Sequence, residues 1–564
     1  MASGGERHRD NTIWRSVNRA PNQRASSSTP THRRRPVCEF FRKMLSMPPW
    51  KFQDLLFESP WIQHPISAHT VVEVPEEFRG QVAALAPNVP ALYELHFGVP
   101  MAGAVLSALN TMLDASMLTL LLQQLEPRII FVDYQFLEVG LKALETLSSL
   151  TKTKPPVLVV VAEDDKSSIF IKELPSGSLD YNEVLATGQI DFKIIPPSDE
   201  CHPISVNYTS GSTGMPKGVV YSHRAAYLNT LAEIFCSEMR EMPVFLWTVD
   251  MFRCNGWCFT WAVAALGGTN ICIRNVTTKV IFDSICLHKV THFCGSTTIL
   301  KMIANSPTTD HRILSSKAVM IVAGALPPPQ TVNKIKELGF NVVHAYGMTE
   351  ALGPVTVKLL VPLGDEREKL KCHEGIHHIM MEGVDVKDPT TMISVPSDGK
   401  TIGEVMHKSN TMMSGYLKNS QATQRAFRGG WYRTGDLGVR HPNGYIQMMD
   451  RVVDTISCGG EIISTLEVEA VLASHPMVLE AAVVGRPDER LGATPCAFVR
   501  LKEGCSSTSA QEIIEFCRDR LPNYEAPWSV VFGDLPVNST GKIQKFVLRE
   551  EVKAMGNLPC SNGH

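Results

Sequence analysis

The stretch Thr209-Ser210-Gly211-Ser212-Thr213-Gly214-Met215-Pro216-Lys217-Gly218 packs three glycines and four hydroxyl residues into ten positions. Such a loop can fold backbone N–H groups and hydroxyls around phosphate oxygens, while Lys217 adds a positive charge. It does not have the Gly-x-x-x-x-Gly-Lys-Ser/Thr order of a P-loop, so that class of nucleotide site is not implied. An ordinary Gly/Ser-rich surface turn would have the same composition. On these residues alone both readings stand.

The loop needs elements to hold it. The apolar run Ile204–Tyr208 just before it reads as a strand, as do Arg128–Val132, Pro156–Ala162, Ala318–Val322 and Asn341–His344. Val99–Leu109 and Met117–Leu125 read as helices between strands. Repeated strand–helix–strand spacing predicts layered α/β structure. The style changes after Asp450. Ser464-Thr-Leu-Glu467 and Ser509-Ala-Gln-Glu512 have the form of capping boxes opening two helices. Val468, Val471 and Leu472 form an apolar face on the first, and Ile513, Phe516 and Cys517 on the second. Glu480–Gly485, Pro495–Leu501 and Trp528–Phe532 read as strands. The expected organisation is a basic, atypical or disordered segment over 1–80, a large α/β domain over 81–449, and a small α+β domain over 450–564 joined by a hinge near Asp450.

Composition narrows the function. The chain has 564 residues, 44% hydrophobic and 20% charged, with a formal charge of −3. These values fit a soluble multidomain enzyme and give no reason to expect nucleic acid as a partner. Residues 1–50 carry ten Lys/Arg against three acids, so that segment is +7 and the remainder −10. Disorder and organellar targeting both fit it. The best apolar stretch, Cys254–Gly268, is too short to span a bilayer, so no transmembrane segment is expected. The 14 cysteines form no CxxC pair, which favours free thiols in a reducing compartment over a zinc site. The last residues, Cys560–His564, are not a Ser-Lys-Leu-type address, which leaves cytoplasm or peroxisome open.

The loop at 209–218 has four companions in order: His344-Ala345-Tyr346-Gly347-Met348-Thr349-Glu350, Gly430-Trp-Tyr-Arg-Thr-Gly-Asp436-Leu-Gly438, Asp450-Arg451 with Ser457-Cys-Gly459-Gly460-Glu461, and Asn538-Ser-Thr-Gly-Lys542-Ile-Gln-Lys545. Together these resemble the adenylate-forming superfamily of acyl-CoA ligases, from about Val82 to Arg549. Ala86–Glu94 and Ser539–Arg549 look most like its plant acyl-activating branch, near benzoate- and short-chain acid–CoA ligases. The resemblance implies an ATP-dependent carboxylic acid–CoA ligase with Mg2+ and coenzyme A, acting as a monomer or homodimer on a small carboxylic acid. A stand-alone adenylation module and a catalytically impaired nucleotide-binding relative are the alternatives.

The same resemblance assigns roles. Lys542 matches the adenylation lysine, whose charge would face the charge gathering on carboxylate and α-phosphate; most lysines are merely solvated. Thr209–Gly214 and Lys217 match the phosphate loop. Thr349 and Glu350 match residues at the α-phosphate and magnesium, with Thr213 as a second metal contact. Asp436 matches the acceptor for the two ribose hydroxyls and Arg451 a second ribose contact. Gly324-Ala325-Leu326 and Tyr346 match the adenine slot, with His344, Ala345, Gly347 and Met348 as further nucleotide-binding positions, although a core aromatic is a close rival for Tyr346. Gly459 and Gly460 match a loop that turns in for thioester formation when the small domain rotates; a plain strand turn explains them equally.

Three positions depart from the family pattern. Arg253, in Met251-Phe-Arg-Cys254, stands where an aromatic or His usually gates the carboxylate, and could bind it or pair with Asp250. Val453 stands at the hinge where Lys or Asp is usual. Val537 replaces a lysine before the Lys542 turn. Pocket walls in the family come from segments like 251–258, 294–300, 323–326 and 344–353. Apolar residues dominate there, which predicts a small apolar acid, aromatic or short-chain.

Overall fold

The computed structural model describes residues 80–556 apart from 152–154, 163–173, 189–191, 195, 210–214, 315–316, 324–328, 360–375, 379, 443, 503, 505–507 and 538–542. The segment expected over 1–79 therefore lies outside the described residues. Two large sheets and a smaller third make the N-terminal domain. The first has eight strands, in the spatial order Gly415–Tyr416, Gly218–Ser222, Pro203–Tyr208, Val105–Ala108, Gln81–Leu85, Ile129–Asp133, Val157–Val161 and Leu179–Asp180. It is parallel from Pro203–Tyr208 outward and antiparallel at its Gly415 edge. The second has seven strands. Thr269–Cys272, Val244–Trp247, His292–Ser296, Val319–Ala323 and Asn341–Gly347 run parallel, and Pro354–Leu359 and Ile376–His377 add antiparallel.

Most of these strands are apolar runs buried along their length, as expected where helices cover both faces of a parallel sheet. Between the sheets lies one core in which Phe245 stacks on Phe259 at 4.9 Å and meets Trp247 edge-on at 4.8 Å. Each of these fully buried rings contributes about 2–3 kcal/mol of burial energy. Asn88 crosses that core. Its Nδ2 donates to the carbonyls of Trp247 and Val249 at 3.2 and 3.0 Å, and its Oδ1 accepts from Met251 N at 2.9 Å.

The third sheet is antiparallel: Gly383–Lys387, Ile402–Lys408, Trp431–Arg440 and Phe427–Arg428, with Ile446–Arg451 on Trp431–Arg440. A fourth, five-stranded sheet forms the small C-terminal domain from Ile456 to Phe532, with helices Thr465–Ala473, Ala510–Arg518 and Lys545–Met555 packed on it. The architecture is thus a large α/β domain and a small α+β domain. Among the described residues no helix is long and apolar enough to cross a membrane.

Two expectations need correction. The helix expected over Val99–Leu109 ends at Met101, having begun at Pro90. Gly103 turns the chain at φ +73°, and Val105–Ala108 is a fully buried strand. A short apolar run has the same periodicity in a buried helix and a buried strand, and tertiary burial decided here. The Ser464–Glu467 capping box is also replaced. Ser464 Oγ donates to the Met449 carbonyl at 2.6 Å, so it is spent elsewhere. Thr465 N and Oγ1 both donate, each at 2.6 Å, to Oδ2 of the buried Asp450. A carboxylate 15 residues upstream thus caps the helix, and charged acceptors are the stronger ones. The second box, Ser509 with Glu512, forms as expected. Asp450→Ala should cost about 1–2 kcal/mol in denaturant unfolding, and Glu467→Ala less than about 0.5 kcal/mol. Equal losses at the two positions would mean the box, not Asp450, caps the helix.

Candidate active site

A cleft of about 1510 Å³ opens where the first two sheets, the third sheet and the small domain meet. One side is built on the hairpin Pro203–Tyr208/Gly218–Ser222. Thr209 N donates to the Lys217 carbonyl at 3.0 Å and Lys217 N to Thr209 Oγ1 at 3.1 Å, so both ends of the loop are clamped together. Thr209 and Lys217 line the cleft, and the Lys217 ammonium lies 4.4 Å above the Tyr416 ring. Ser210, Gly211, Ser212, Thr213 and Gly214 lie outside the described residues, as do Gly324, Ala325 and Lys542.

Tyr416 links that lysine to the next motif. Its hydroxyl donates to Glu350 Oε1 at 2.8 Å, and burial together with the nearby Glu350 charge pushes the phenol's pKa well up. Tyr221 donates to the Thr349 carbonyl at 2.6 Å. Ala345, Gly347, Met348, Thr349 and Glu350 all line the cleft. At Gly347 a Cβ would stand 2.3 Å from the Gly353 carbonyl oxygen, so no other residue fits that turn. His344 is buried, and neither it nor Tyr346 is part of the lining. The Tyr346 hydroxyl donates instead to Asp436 Oδ2 at 2.6 Å, and its ring meets His407 edge-on at 5.9 Å.

Asp436 and Arg451 are cross-strand partners in the third sheet. Arg451 Nε lies 3.3 Å from Asp436 Oδ1, and both line the cleft. The turn before Asp436 is fixed by Glu404, which takes Arg433 Nε and Nη2 at 3.0 and 2.6 Å on one oxygen and Gly435 N at 3.0 Å on the other. Val453 lines the cleft although 58% exposed. Val537 and Gln544, on either side of the segment holding Lys542, line it as well. Gly459 and Gly460 do not. They form the turn between Ile456–Cys458 and Glu461–Ile463, with φ of +61° and +94°. Lys545 is anchored within the small domain, 2.7 Å from Glu469 and 2.5 Å from Thr465 Oγ1.

The remaining wall is the segment 250–258. Arg253 Nε lies 2.9 Å from Asp250 Oδ2, and the guanidinium is 5.0 Å from the Phe252 ring centroid. Cys254 to Cys258 then run at φ between +45° and +62°, five left-handed residues in succession. Non-glycine residues adopt that region at a cost, so something must hold them. Asn255 does: its Oδ1 accepts from Ser205 Oγ at 2.6 Å and its carbonyl from Thr260 Oγ1 at 3.0 Å. Asn207 Nδ2 donates to the Phe252 carbonyl at 3.2 Å. Burial pushes the Cys254 thiol up to about 11, which keeps it protonated and inert. Glu233, on the helix His223–Cys236, shares this wall.

Tyr416, Glu404, Asn255 and Glu233 are the site residues that sequence reasoning missed. For the first three the partners lie far away in the chain, so no local pattern marks them. For Glu233 a signal exists, a lone acid among the apolar residues of Leu231–Cys236, although no family wall segment includes that stretch. As a magnesium site the cleft offers Glu350, with Oε1 already bonded to Tyr416. No group of three His, Cys, Asp or Glu converges among the described residues. That suits an ion held by one carboxylate and substrate phosphates rather than by a protein cage.

The chain matches the AMP-binding enzyme family over residues 78–417 and the AMP-binding enzyme C-terminal domain over residues 467–542. It is 49% identical over 483 residues to probable acyl-activating enzyme 21 of Arabidopsis thaliana, covering 84% of this chain and 86% of that one. It is 45% identical over 494 residues to an acetate–CoA ligase of Humulus lupulus, covering 85% and 87%. Three further plant relatives are named as peroxisomal enzymes. Among solved structures, ATP-bound MatB from Rhodopseudomonas palustris superposes with a TM-score of 0.71 at 23% identity, over 84% of this chain and 89% of that one. With two family domains in order, close plant relatives over most of its length and a shared fold, the chain belongs to the AMP-binding enzyme family, in its plant acyl-activating branch of acid–CoA ligases.

Proposed function

We propose that this cleft carries out both half-reactions of an ATP-dependent carboxylic acid–CoA ligase on a short-chain acid. In the first, a carboxylate oxygen attacks the α-phosphorus of ATP, an acyl-adenylate forms and pyrophosphate leaves. In the second, the CoA thiolate attacks the acyl carbonyl, a thioester forms and AMP leaves. The observation that carries the reading is the convergence of Lys217, Tyr416 and Glu350 with the Asp436–Arg451 pair on one cleft.

The roles are those that the family resemblance implies. Lys217 and the loop 209–214 hold the outer phosphates, and Thr349 meets the α-phosphate. Asp436 accepts from the ribose hydroxyls once ATP displaces the Tyr346 hydroxyl from its carboxylate, with Arg451 beside it. Ala345, Gly347 and Met348 flank the adenine, together with Gly324 and Ala325. Glu350, Thr213 and the phosphates would hold magnesium, which would supply charge neutralisation. Lys542 stabilises the charge that builds in the first transition state. The small domain, taken as 450–564, then rotates about Val453 to bring Gly459 and Gly460 to the cleft for the second step. That Val537 and Gln544 line the cleft while Gly459 and Gly460 do not supports an adenylation-ready arrangement. The peroxisome is the compartment we favour, on the names of the relatives; imaging of the full chain carrying a fluorescent tag tests it.

The decisive measurement is acid-dependent ATP–pyrophosphate exchange, followed by CoA-dependent release of AMP. Exchange with short acids and free acyl-CoA are the expected results. ATP binding with no exchange for any acid would make the chain a nucleotide-binding relative without turnover, and acyl-adenylate without acyl-CoA would make it an adenylation module. Lys542→Ala should lower exchange by about two to three orders of magnitude while ATP still binds. Near wild-type exchange in that variant would remove Lys542 from the mechanism.

Arg253 has its own test. Its guanidinium is engaged by Asp250, so Asp250→Asn should release it toward the acid carboxylate. The acid's saturation constant should then fall by about tenfold with little gain in maximal rate, because ground-state binding does not lower the barrier. An unchanged constant would make Arg253 a support for the wall and not an acid-binding group.

A further inference from the structure

Glu233 is 4% exposed, yet it is one of the residues that line the cleft. Among the described residues the carboxyl has one side-chain partner, Ser237 Oγ at 3.4 Å, and no cation pairs with it. Cys254 and Trp257 also line the cleft, and the buried thiols of Cys258 and Cys294 lie near the Glu233 carboxyl. Burial pushes this carboxyl up to about 8. It therefore holds its proton at neutral pH and can both donate and accept a hydrogen bond. A buried polar group with one long hydrogen bond is a liability unless something else completes its bonding.

We propose that Glu233 is a specificity-determining residue, whose carboxyl selects a short carboxylic acid bearing a hydroxyl on its chain over the plain alkyl acid of the same length. The inference rests on the ligase reading above and refines the acid it takes. A methyl end placed against Glu233 would leave the carboxyl unpaired and still desolvated. A hydroxyl would accept its proton and donate to its other oxygen. Sites that hydrogen-bond a substrate hydroxyl discriminate strongly against the analogue without it, and here the preference should be at least about tenfold. An apolar wall alone would give the reverse order, since it gains from every added methyl group.

The test is calorimetric binding of acyl-sulfamoyl adenosines, which mimic the acyl-adenylate and do not turn over, to the full chain. Two series of matched length are compared, one ending in methyl and one in hydroxymethyl. In the wild type the hydroxylated analogue should bind at least about tenfold tighter at one chain length, and Glu233→Leu should abolish or invert that order. Glu233→Met, closer in shape, replaces the leucine variant if the latter does not fold. A wild type that prefers the methyl series at every length, or variants that keep the hydroxyl preference, would overturn the proposal. Pyrophosphate exchange with the parent acids separates the two ideas. Exchange without a Glu233-dependent preference sinks this proposal alone. No analogue binding together with no exchange for any acid sinks the ligase reading, and this proposal with it.

Discussion

The left-handed turn Cys254–Cys258 is the constraint on which the acyl side of the molecule depends. Five successive residues at positive φ are not a conformation that the local sequence favours, since only Gly256 adopts it freely. At Gly256 a Cβ would come within 2.6 Å of the Trp247 ring, so the turn also needs that glycine for packing. What holds the other four is long-range bonding: Ser205 to Asn255, Asn207 to the Phe252 carbonyl, and Asn88 to the backbone at 247–251. These donors sit on strands and turns of the first sheet, whereas the turn follows a strand of the second. The two sheets are therefore locked by buried amides as well as by the rings of Phe245, Trp247 and Phe259. Asn88 uses both its amide nitrogen and its oxygen, whereas Asn207 Oδ1 and Asn255 Nδ2 find no partner among the described residues, so those two amides are only half satisfied.

The nucleotide side is organised differently, by charge instead of backbone strain. Glu350 and Asp436 are each engaged by a tyrosine hydroxyl, from Tyr416 and Tyr346 respectively. Arg451 lies beside Asp436 as a compensating cation, and Lys217 sits over the face of the Tyr416 ring. A phenol is a modest partner that a phosphate-bound ion or a ribose hydroxyl can displace without leaving a bare charge behind. The carboxylates thus keep defined positions before ligand arrives, and preorganisation of this kind lowers the cost of binding. Asp450 extends the same logic to the domain boundary. One oxygen takes Arg451 N at 2.7 Å and the other takes Thr465, so a single buried carboxylate orients both the ribose-facing strand and the first helix of the small domain.

How much of this was legible beforehand depended on distance along the chain. The parallel strands Ile129–Asp133, Val157–Val161, Pro203–Tyr208, Val319–Ala323 and Asn341–Gly347 were legible because burial on both faces leaves continuous apolar runs, and the motifs were legible as a family resemblance because each is contiguous. The Ser509 box formed because nothing competes with it, whereas the Ser464 box lost to Asp450, a partner that helix-start rules cannot see. Val99–Leu109 misled because apolar periodicity alone does not separate a short buried strand from a helix. The third sheet, Gly383 to Arg451, went unread, since its strands alternate irregularly and carry Glu404, His407 and Asp436 as buried polar residues. Tyr346 fell between two readings: its motif pointed to the adenine slot, and its hydroxyl is on Asp436.

The two ends of the cleft therefore place different demands on the chain. At the nucleotide end nearly every charged group has a partner, and substitution of one exposes another, so that end tolerates little variation whatever acid is used. Cys254, Trp257 and Glu233 line the cleft together with the Asp250–Arg253 pair, and the turn that carries Cys254 and Trp257 is shaped from outside by Asn88, Ser205 and Asn207. The Cys254 side chain meets Thr349 and Tyr221 and so touches both ends of the cleft, while the bonds that fix the turn go mainly to its backbone and to Asn255. An unmet hydrogen bond costs about 1–3 kcal/mol, against roughly 0.8 kcal/mol for each buried methylene, so one polar group on a cleft wall outweighs roughly one to four methylene contacts.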